Sequence, residues 1–549
     1  MDYEAEFSRR LKGLNARQRQ AVDIISGPLM VVAGPGTGKT ELLAVRAANI
    51  LHQTDADPSN ILCLTFTDSG SANMVKRLAQ IIGSTAYQVE IQTFHSFGST
   101  IIGRFGEYFY SGANYQPADQ LTQAEILTEI IAGLSYDNPL ATLNPSGQPI
   151  YLKTIQKLIS DFKNSGLSPD QLEELVDQDL DFCTDIEPTI NEVFAKGISK
   201  KTISKCDDLL IELRRLATQT PPLAQAITPT LAQIMANDLA EAYAAAGDDG
   251  STKPITAFKN RWVGNSDNGT KTLKITEHCR KLKLALDIYR QYLAKMDERQ
   301  LYDFNDMILR VIQAIAEHPG LKATLQEQYQ YVMVDEFQDT NEAQMRLLHL
   351  LTDYDDQPNL MVVGDDDQAI YRFQGADIGN IQTFTRRYPK LRQVNLQTNY
   401  RSGTAIIELA EQVAGDITER LTNVDGTPKQ LVAHHSDYKC RIDWTVATSQ
   451  AGEFSHVAGS IKQAIDQGAK PAQIAVIARR HKSLVQLTDF LTALNIPFTY
   501  QHQQNVFDSE LIKLLLNLAR AVVCIAHNNI TDANAYLPHI IASPAFGIS

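Results

Sequence analysis

The sequence predicts an α/β fold in which parallel sheets are covered by helices, and three observations support this class. Short apolar runs recur before turn-rich or charged segments, at 29–33, 61–65, 331–335, 360–365 and 474–478. Helix-like stretches such as 41–51 and 343–351 follow them. A glycine-rich loop joins the first run to its helix. Strands that alternate with helices in this way are typical of parallel sheets buried on both faces.

The pattern changes between 116 and 300. Long segments of helical period, such as 123–134 and 151–164, are separated there by loops rich in Pro, Gly and Asn. Helical period without intervening apolar runs indicates a helical region rather than more sheet. We therefore predict a helical insertion within the α/β fold. With 549 residues and roughly 100 to 200 residues per domain, the chain as a whole should form about three or four domains.

Composition excludes several classes of protein. The chain is 44% hydrophobic and 21% charged, which is typical of a globular protein and not of a disordered one. Its six cysteines form no Cys-x-x-Cys pair, which argues against a disulfide framework or a structural zinc site. The start of the chain is charged and no long apolar run occurs, so we expect no signal peptide and no membrane span. A soluble, cytoplasmic protein is the simplest expectation.

The net charge of −14 argues against a surface that attracts nucleic acid everywhere, so any such contact must be local. The stretch 253–283 carries eight basic residues and two acidic ones, with Phe258 and Trp262 between them. It is either a nucleic-acid contact or a solvated helical face, and the sequence leaves both alternatives open.

The glycine-rich loop has the pattern of a phosphate-binding loop. Glycines let successive backbone N–H groups point at phosphate oxygens, and the start of the following helix adds partial positive charge. Lys39 would reach the β and γ phosphates, and the Thr40 hydroxyl would be a ligand of Mg²⁺. Ala33 stands where the strict pattern has glycine. The residues predicted to surround the phosphates are Gly34, Pro35, Gly36, Thr37, Gly38, Lys39 and Thr40.

An acidic pair follows the apolar run that begins at Tyr331. Asp335 at the end of a buried strand would hold Mg²⁺, and the adjacent Glu336 would accept a proton from the attacking water. Acidic residues are common at strand ends, so the pair carries weight only together with the phosphate loop.

Further motifs resemble those of UvrD/PcrA/Rep-type DNA helicases of superfamily one, in the same order along the chain. Six ordered matches over almost 400 residues make the resemblance specific, although the helical insertion matches only loosely. The matching segments are Leu14-Asn15-x-x-Gln18-x-x-Ala21-Val22, Thr65-Phe66-Thr67, Thr93-Phe94-His95-Ser96, Asp335-Glu336-Phe337-Gln338-Asp339-Thr340, Val363 to Phe373 and Asn399-Tyr400-Arg401-Ser402.

The resemblance implies roles in ATP binding and hydrolysis for four further residues. Gln18 is similar to the family's adenine reader, whose amide offers a donor and an acceptor to the base edge. Tyr400 would stack on the base, although a plain core position is its alternative. Arg401 would neutralise charge at the γ phosphate. Gln368 is similar to the family's phosphate sensor, with a simple turn residue as the alternative. The catalytic set is then Lys39, Glu336, Gln368 and Arg401.

The resemblance also implies stacking of DNA bases on aromatic rings, which tolerates any sequence because every base has a π-face. His95 would contact a backbone phosphate. The segment departs from the family at Asp68-Ser69, where Asn-Lys is usual, and at Phe373-Gln374, where Trp-Arg is usual. Core packing is the alternative for any single Phe. The rings at matching positions are Phe66, Phe94, Tyr371 and Phe373.

From this resemblance we expect two RecA-like P-loop NTPase domains with parallel sheets and helical insertions. The first core domain would comprise 1–115 and 301–395, and its helical insertion 116–300. The second core domain would begin at 396–507, and 508–549 would start a second helical insertion. The implied function is ATP- and Mg²⁺-dependent translocation on single-stranded DNA in the 3′ to 5′ direction, with unwinding at junctions of single- and double-stranded DNA, in DNA repair or a related pathway.

Two rivals differ in class. An ATP-gated module that binds single-stranded DNA without motor activity would share the same motifs. A P-loop kinase or switch GTPase is disfavoured, because no acceptor site and no Asn-Lys-x-Asp signal occur. Two further motifs of the family are not found before residue 549. We therefore expect an N-terminal portion of a helicase, an incomplete motor that binds ATP and DNA without unwinding.

Overall fold

The computed structural model describes residues 2–109, 115–144, 149–195, 198–219, 230–249, 251–265, 269–371, 379–417, 420, 422, 429–436, 440–500, 509–527 and 530–543. The chain divides into two compact units, Met1–Arg441 and Ile442–Ser549.

The first unit is built on a parallel sheet of six strands in the order β10-β1-β9-β8-β2-β3. The α/β class is therefore confirmed, and four of the predicted strands form where the apolar runs place them. Short two-stranded pairs accompany the sheet. The strands are β1 Leu29–Ala33, β2 Ile61–Thr65, β3 Glu90–Thr93, β4 Gln116–Pro117, β5 Val263–Asn265, β6 Lys271–Leu273, β7 Leu301–Tyr302, β8 Tyr331–Val334, β9 Leu360–Gly364, β10 Arg392–Leu396, β11 Thr398–Asn399 and β12 Val432–Ala433.

Helices cover both faces of the sheet because its strands are apolar on both sides. Val32 packs in one hydrophobic cluster with α5 and α13–α16, whereas its neighbour Val31 packs in another with α2–α4. The result is a three-layer α/β/α arrangement. The helices are α1 Tyr3–Gly13, α2 Ala16–Asp23, α3 Lys39–Gln53, α4 Asp68–Ile82, α5 Phe94–Arg104, α13 Asp306–Glu317, α14 Pro319–Gln328, α15 Glu342–Thr352, α16 Gly379–Arg387 and α17 Thr404–Gly415.

A helical region lies between β3 and β8 in the chain, as the change of period predicts. It contains two hydrophobic clusters, and the long helix α8 contributes Leu172 to one and Ile186 to the other. One helix therefore ties both halves of the region together. Its helices are α6 Gln120–Ala132, α7 Leu152–Asn164, α8 Pro169–Phe194, α9 Lys200–Gln219, α10 Leu231–Asp249, α11 Lys253–Trp262 and α12 Lys274–Glu298.

The second unit contains α18 Gln450–Asp466, α19 His481–Ala493, α20 Glu510–Ala526 and α21 Ile530–Ile541 among its described residues. The predicted strand at 474–478 is wrong, because these residues have no regular secondary structure. A strand needs a neighbour to accept and donate its backbone hydrogen bonds, and no other strand occurs in the described part of this unit. Ile477 is consequently 93% exposed instead of buried.

The predicted domain boundary at 395/396 falls inside the first unit, since 396–441 belong to it. The pairing of β11 with β12 holds part of this segment together. The domain limits named above stay a prediction. Among the helices of the described residues, none combines the length and the apolar character needed to cross a membrane.

Candidate nucleotide site and nucleic-acid groove

The predicted motifs follow strands of one sheet. Because all six strands are parallel, their carboxyl ends meet at the same edge, where ligands of open α/β sheets bind. The phosphate loop follows β1, the acidic pair follows β8, and 365–368 follows β9. These three strands are neighbours, and the two Thr-Phe motifs follow the adjoining strands β2 and β3. The edge therefore has two halves. The nucleotide half lies at the ends of β1, β9 and β8, and the groove half lies at the ends of β2 and β3.

The phosphate loop has the backbone that its glycines predict. Gly36 and Gly38 have φ of 70° and 84°, in the left-handed region that favours glycine. Gly38 caps α3, and the Thr37 hydroxyl donates to the Gly34 carbonyl at 2.7 Å. A Cβ on Gly36 would lie 2.7 Å from Asn399 Oδ1. The loop therefore fits the binding of phosphate at a helix N-terminus.

Lys39 and Glu336 are brought together, as predicted. The Lys39 ammonium donates to Glu336 Oε2 at 2.7 Å, with the lysine side chain 12% and the glutamate 36% exposed. Glu336 has φ of 49°, a left-handed conformation that is uncommon outside glycine. Such strained residues cluster at functional sites, where surrounding contacts hold them.

Asp335 lies beside this pair at the end of β8. Its N–H donates to the Leu64 carbonyl at 2.9 Å, and its carboxylate accepts the Glu336 N–H at 3.0 Å. Burial and the charge of Glu336 raise the pKa of Asp335 to about 6, against the opposing effect of Lys39. A crowded carboxylate of this kind gains from a divalent cation. Asp335, with Thr40 in the first turn of α3, therefore fits a Mg²⁺ site.

Asn399 joins the phosphate loop to the segment that carries Tyr400 and Arg401. Its side chain, 1% exposed, donates to the Pro35 carbonyl at 2.7 Å and accepts the N–H groups of Arg401 and Ser402, both at 2.8 Å. Our sequence reading gave Asn399 no role. A buried amide that connects two loops has no distinctive sequence pattern, although Asn399 begins the recognised motif.

Tyr400 and Arg401 lie against the same loop. The Tyr400 N–H donates to the Gly36 carbonyl at 2.8 Å, and its hydroxyl accepts from the Asn15 amide at 2.8 Å. The tyrosine ring also meets His434, with centroids 4.7 Å apart. Arg401 has an exposed side chain, and its Cβ lies next to Gly36. Tyr400 and Arg401 therefore lie beside the phosphate loop, and their contacts with the base and the γ phosphate stay predictions.

Gln18 already uses both ends of its amide. Its Nε2 donates to the Thr37 carbonyl at 2.9 Å, and its Oε1 accepts the Asn15 N–H at 3.0 Å in a capping box of α2. A primary amide retains one further N–H and one further lone pair. Gln18 supports the phosphate loop directly, and adenine reading stays a prediction.

Gln368 lies in the turn after β9. Its amide donates to Asp365 Oδ2 at 2.6 Å. The turn also carries three consecutive aspartates whose carboxylates lie close together. Lys429 and Arg420 pair with them, so the cluster is neutralised by side chains of the chain itself.

The other half of the sheet edge opens into a groove of about 640 Å³. Phe66 and His95 from the two Thr-Phe motifs line it, together with α7 of the helical region and Phe304. The Phe66 ring meets that of Tyr371, with centroids 4.7 Å apart. The groove therefore offers aromatic rings beside polar side chains, the combination that suits single-stranded nucleic acid.

One prediction for this groove needs correction, whereas the phosphate contact of His95 stays a prediction. Phe94 belongs to the wall of the groove but is only 2% exposed and packs in the sheet core at the start of α5, so its ring offers little surface for stacking. His95 stacks on Phe304, with centroids 4.0 Å apart and an interplanar angle of 20°. Burial lowers the pKa of His95 to about 4, so it would meet a phosphate as a neutral donor. Phe304 is 62% exposed and was missed, because a lone Phe outside a recognised motif gives no signal.

The structure gives little support to the remaining predictions of nucleic-acid contacts, at Phe373 and in the basic stretch 253–283. Phe373 lies outside the described residues. Phe258 and Trp262 of the basic stretch are 4% and 9% exposed and belong to a hydrophobic core, so they are not stacking rings. Several basic residues of the stretch pair with carboxylates, for example Arg261 with Asp238 and Lys283 with Asp177. These contacts favour the solvated-face alternative.

Comparison with known proteins adds two family models. Residues 14–243 and 251–389 match the UvrD/REP helicase N-terminal domain, and residues 394–543 match the UvrD-like helicase C-terminal domain. The expectation of an N-terminal portion alone is therefore wrong, because the C-terminal domain is also represented. The segment 508–543, read from sequence as the start of a separate insertion, lies within that second match.

Curated relatives match over nearly the whole chain. The ATP-dependent DNA helicase PcrA of Staphylococcus epidermidis is 26% identical over 538 residues, which are 98% of this chain and 57% of the relative. The protein of the same name from Staphylococcus aureus is 25% identical over 512 residues, 93% of this chain and 54% of the relative. The chain thus spans about half the length of the curated relatives it matches.

Proposed function

The chain belongs to the UvrD/Rep helicase family, and from this premise we propose that it takes part in ATP-driven movement along single-stranded DNA in the 3′ to 5′ direction, with unwinding at junctions with duplex. The observation that carries the proposal is the contact of Lys39 with Glu336 at 2.7 Å, which joins the phosphate loop after β1 to the acidic pair after β8. The groove lined by Phe66 and His95 lies at the ends of the adjoining strands of the same sheet.

Hydrolysis would depend on charges at the carboxyl ends of β1 and β8. Lys39 would bind the β and γ phosphates, and Glu336 would accept a proton from water. The 2.7 Å contact between Lys39 and Glu336 supports both roles, because each group already stands within reach of the same small volume. Arg401 would add positive charge at the γ phosphate. Mg²⁺, held by Thr40 and Asp335, would neutralise phosphate charge.

Grip on DNA would depend on rings. Phe66 with Tyr371, and Phe304 with His95, form two aromatic pairs in the first unit. Bases that stack on such rings are held without regard to sequence, which suits a protein that moves along DNA. Neutral His95 would donate a hydrogen bond to a phosphate or base without adding charge.

The relatives support the DNA substrate, whereas the direction and the pathway rest on the resemblance of the motifs. Proteins named ATP-dependent DNA helicase PcrA match almost all of this chain, and their name supports a DNA substrate here. The 3′ to 5′ direction, the junction substrate and a role in DNA repair follow from the resemblance of the motifs and are proposals.

Strand displacement tests the proposal. A labelled duplex with a 3′ single-stranded tail is incubated with the protein, ATP and Mg²⁺, and a duplex with a 5′ tail of the same length and sequence is the matched control. We expect displacement from the 3′-tailed duplex only, and none with Lys39→Ala. ATP and DNA binding without DNA-stimulated hydrolysis would favour the ATP-gated binding module instead, whereas displacement from the 5′ tail would overturn the direction.

A further inference from the structure

A continuous chain of hydrogen bonds runs from the phosphate loop to Lys429. Lys39 donates to Glu336 Oε2 at 2.7 Å, and Gln338 Nε2 donates to the same oxygen at 2.8 Å. The other end of the Gln338 amide, Oε1, accepts the Asp365 N–H at 2.9 Å. Lys429 Nζ then donates to Asp365 Oδ1 at 2.9 Å. Three contacts thus connect the predicted general base Glu336 to Lys429, which lies more than 90 positions later in the sequence.

Gln338 is held in place between these partners, and its Nε2 also lies 3.4 Å from Asp339 Oδ2. It is 1% exposed, and its neighbour across the sheet edge is Gly364. A Cβ at Gly364 would lie 2.6 Å from Gln338 Oε1, a distance that real side chains do not reach. The absence of a side chain at Gly364 therefore leaves space for the Gln338 amide, and a larger residue at position 364 would displace it.

Asp365 is the branch point of the chain. Its Oδ1 receives Lys429, and its Oδ2 receives the Gln368 amide at 2.6 Å. Gln368 is the residue that resembles the family's phosphate sensor. The orientation of Gln368 is therefore set by a carboxylate whose other oxygen is held by Lys429.

The positive charge of Lys429 also neutralises two buried carboxylates. The side chains of Asp365 and Asp366 are 2% and 1% exposed, and the lysine that pairs with both is 6% exposed. Burial opposes the charge on Lys429, but the aspartates outweigh it and its pKa lies above the usual range. Buried carboxylates are stable only with a countercharge, so loss of Lys429 would force them to take up protons or move.

We propose that Lys429 is a positioning residue for ATP hydrolysis. Through Asp365 it holds Gln368, and through Gln338 it is connected to Glu336. When a bound phosphate draws Lys39 away from Glu336, Glu336 keeps its hydrogen bond from Gln338. A movement of Glu336 would then shift Gln338, and through it Asp365 and Lys429. The inference rests on the proposed function, because it assigns Lys429 to the hydrolysis that Glu336 would perform.

A matched pair of variants tests the proposal. Lys429→Met removes the ammonium but keeps the length of the side chain, and Lys429→Arg restores the charge. Arg420→Met is the control, because Arg420 pairs with Asp367 at 2.9 Å in the same cluster without contacting Asp365, Gln368 or Gln338. For each protein, ATP affinity is measured by fluorescence titration, and hydrolysis is measured with and without oligo(dT).

We expect Lys429→Met to bind ATP like the original chain and to lose roughly 2- to 30-fold in DNA-stimulated kcat, the usual range for residues that carry coupling. Lys429→Arg should recover most of the rate, and Arg420→Met should keep it. Equal loss in Lys429→Met and Arg420→Met would overturn the proposal, since the cluster would then act only on stability. If Lys429→Met does not fold, Asp365→Asn, which preserves shape, should show the same split.

A separate measurement distinguishes failure of this inference from failure of the proposed function. If the original chain shows no DNA-stimulated hydrolysis, the proposed function fails. The link is then decided by hydrogen–deuterium exchange with and without Mg-ATP. Binding should change exchange at both 364–369 and 429–434 in the original chain, and only at 364–369 in Lys429→Met. Unchanged exchange at 429–434 in the original chain would overturn the link.

Discussion

The two halves of the sheet edge solve different problems with different residue types. The nucleotide half, at the ends of β1, β9 and β8, uses glycines with left-handed backbone, two lysines and several carboxylates. The groove half, at the ends of β2 and β3, uses rings and a histidine that burial keeps neutral. The difference teaches that a phosphate held in one position suits charged groups and N–H donors fixed around it. A strand that slides past suits stacking contacts of similar strength for every base.

The two Thr-Phe motifs show the contrast within the groove half. Thr65-Phe66 and Thr93-Phe94 share the same dipeptide after neighbouring strands. Phe66 stands in a loop before α4 and its ring is partly exposed, whereas Phe94 begins α5 and points into the core. Helix position rather than residue type therefore decides which ring is open to a base.

The largest expected effect is on stability. Phe94→Ala should lower the free energy of unfolding of the first unit by about 3 to 5 kcal/mol, because it leaves a cavity in the core. Urea unfolding followed by circular dichroism measures this loss as a shift of the transition in which the first unit unfolds. Phe66→Ala is the control and should move that transition far less. If both variants unfolded alike, the contrast between the two motifs would be lost.

Glu336→Gln should sharpen the nucleotide half. It should slow DNA-stimulated ATP hydrolysis by about 100-fold or more, the usual loss for a general base, while ATP binding is retained. Steady-state kinetics and a nucleotide titration check both parts. Lys39→Ala is the counterpart and should weaken ATP binding itself. A Glu336→Gln protein with unchanged turnover would contradict the role of the base.

Phe66→Ala should act on the groove half. We expect affinity for single-stranded DNA to fall by about 1 to 3 kcal/mol, the usual contribution of one stacked base. Fluorescence anisotropy with oligo(dT) and with oligo(dA) measures this loss, which should be similar for both. Loss confined to one sequence would indicate base reading instead of stacking.

His95→Gln should have the smallest effect on binding. With its pKa lowered to about 4 from the ordinary 6.5, His95 is neutral at neutral pH, so DNA affinity between about pH 6 and 8 should not depend on its charge. Stability should depend on it below that range. The unfolded chain takes up a proton as pH falls through 6.5, which the folded chain resists down to about 4, so stability falls with pH. His95→Gln should weaken this acid dependence in thermal melts.

Sequence alone predicted which motifs of the nucleotide half lie together, while the roles of their residues stay predictions. Glycines with a lysine after an apolar strand, and two acids at the end of another, are rare combinations because charged groups seldom lie at buried strands without a reason. The structure brings Lys39 to Glu336 as expected. What the sequence could not supply was the support around them. The roles of Asn399 and Gln338 depend on partners that lie far away in the chain.

The groove half was predicted less well, because a Phe has a default place in the core. Exposure separates Phe304, which was missed and is 62% exposed, from Phe94, which was assigned to stacking but is 2% exposed. Apolar runs have a similar weakness: 474–478 reads like the strands of the first unit, yet a strand also needs a neighbour with which to pair. Burial and pairing belong to the whole fold and have no local signature.

The strand order also has a consequence for synthesis of the chain. β2 pairs with β3, which follows it within about 30 residues, whereas β1 has only β9 and β10 as neighbours. At roughly 5 to 20 residues per second, the ribosome needs about 20 to 70 seconds to make the intervening segment of about 330 to 360 residues. During that time the apolar β1 has no strand to pair with, so its edges are open to association with other segments. The strand that carries the phosphate loop is made first and completed last.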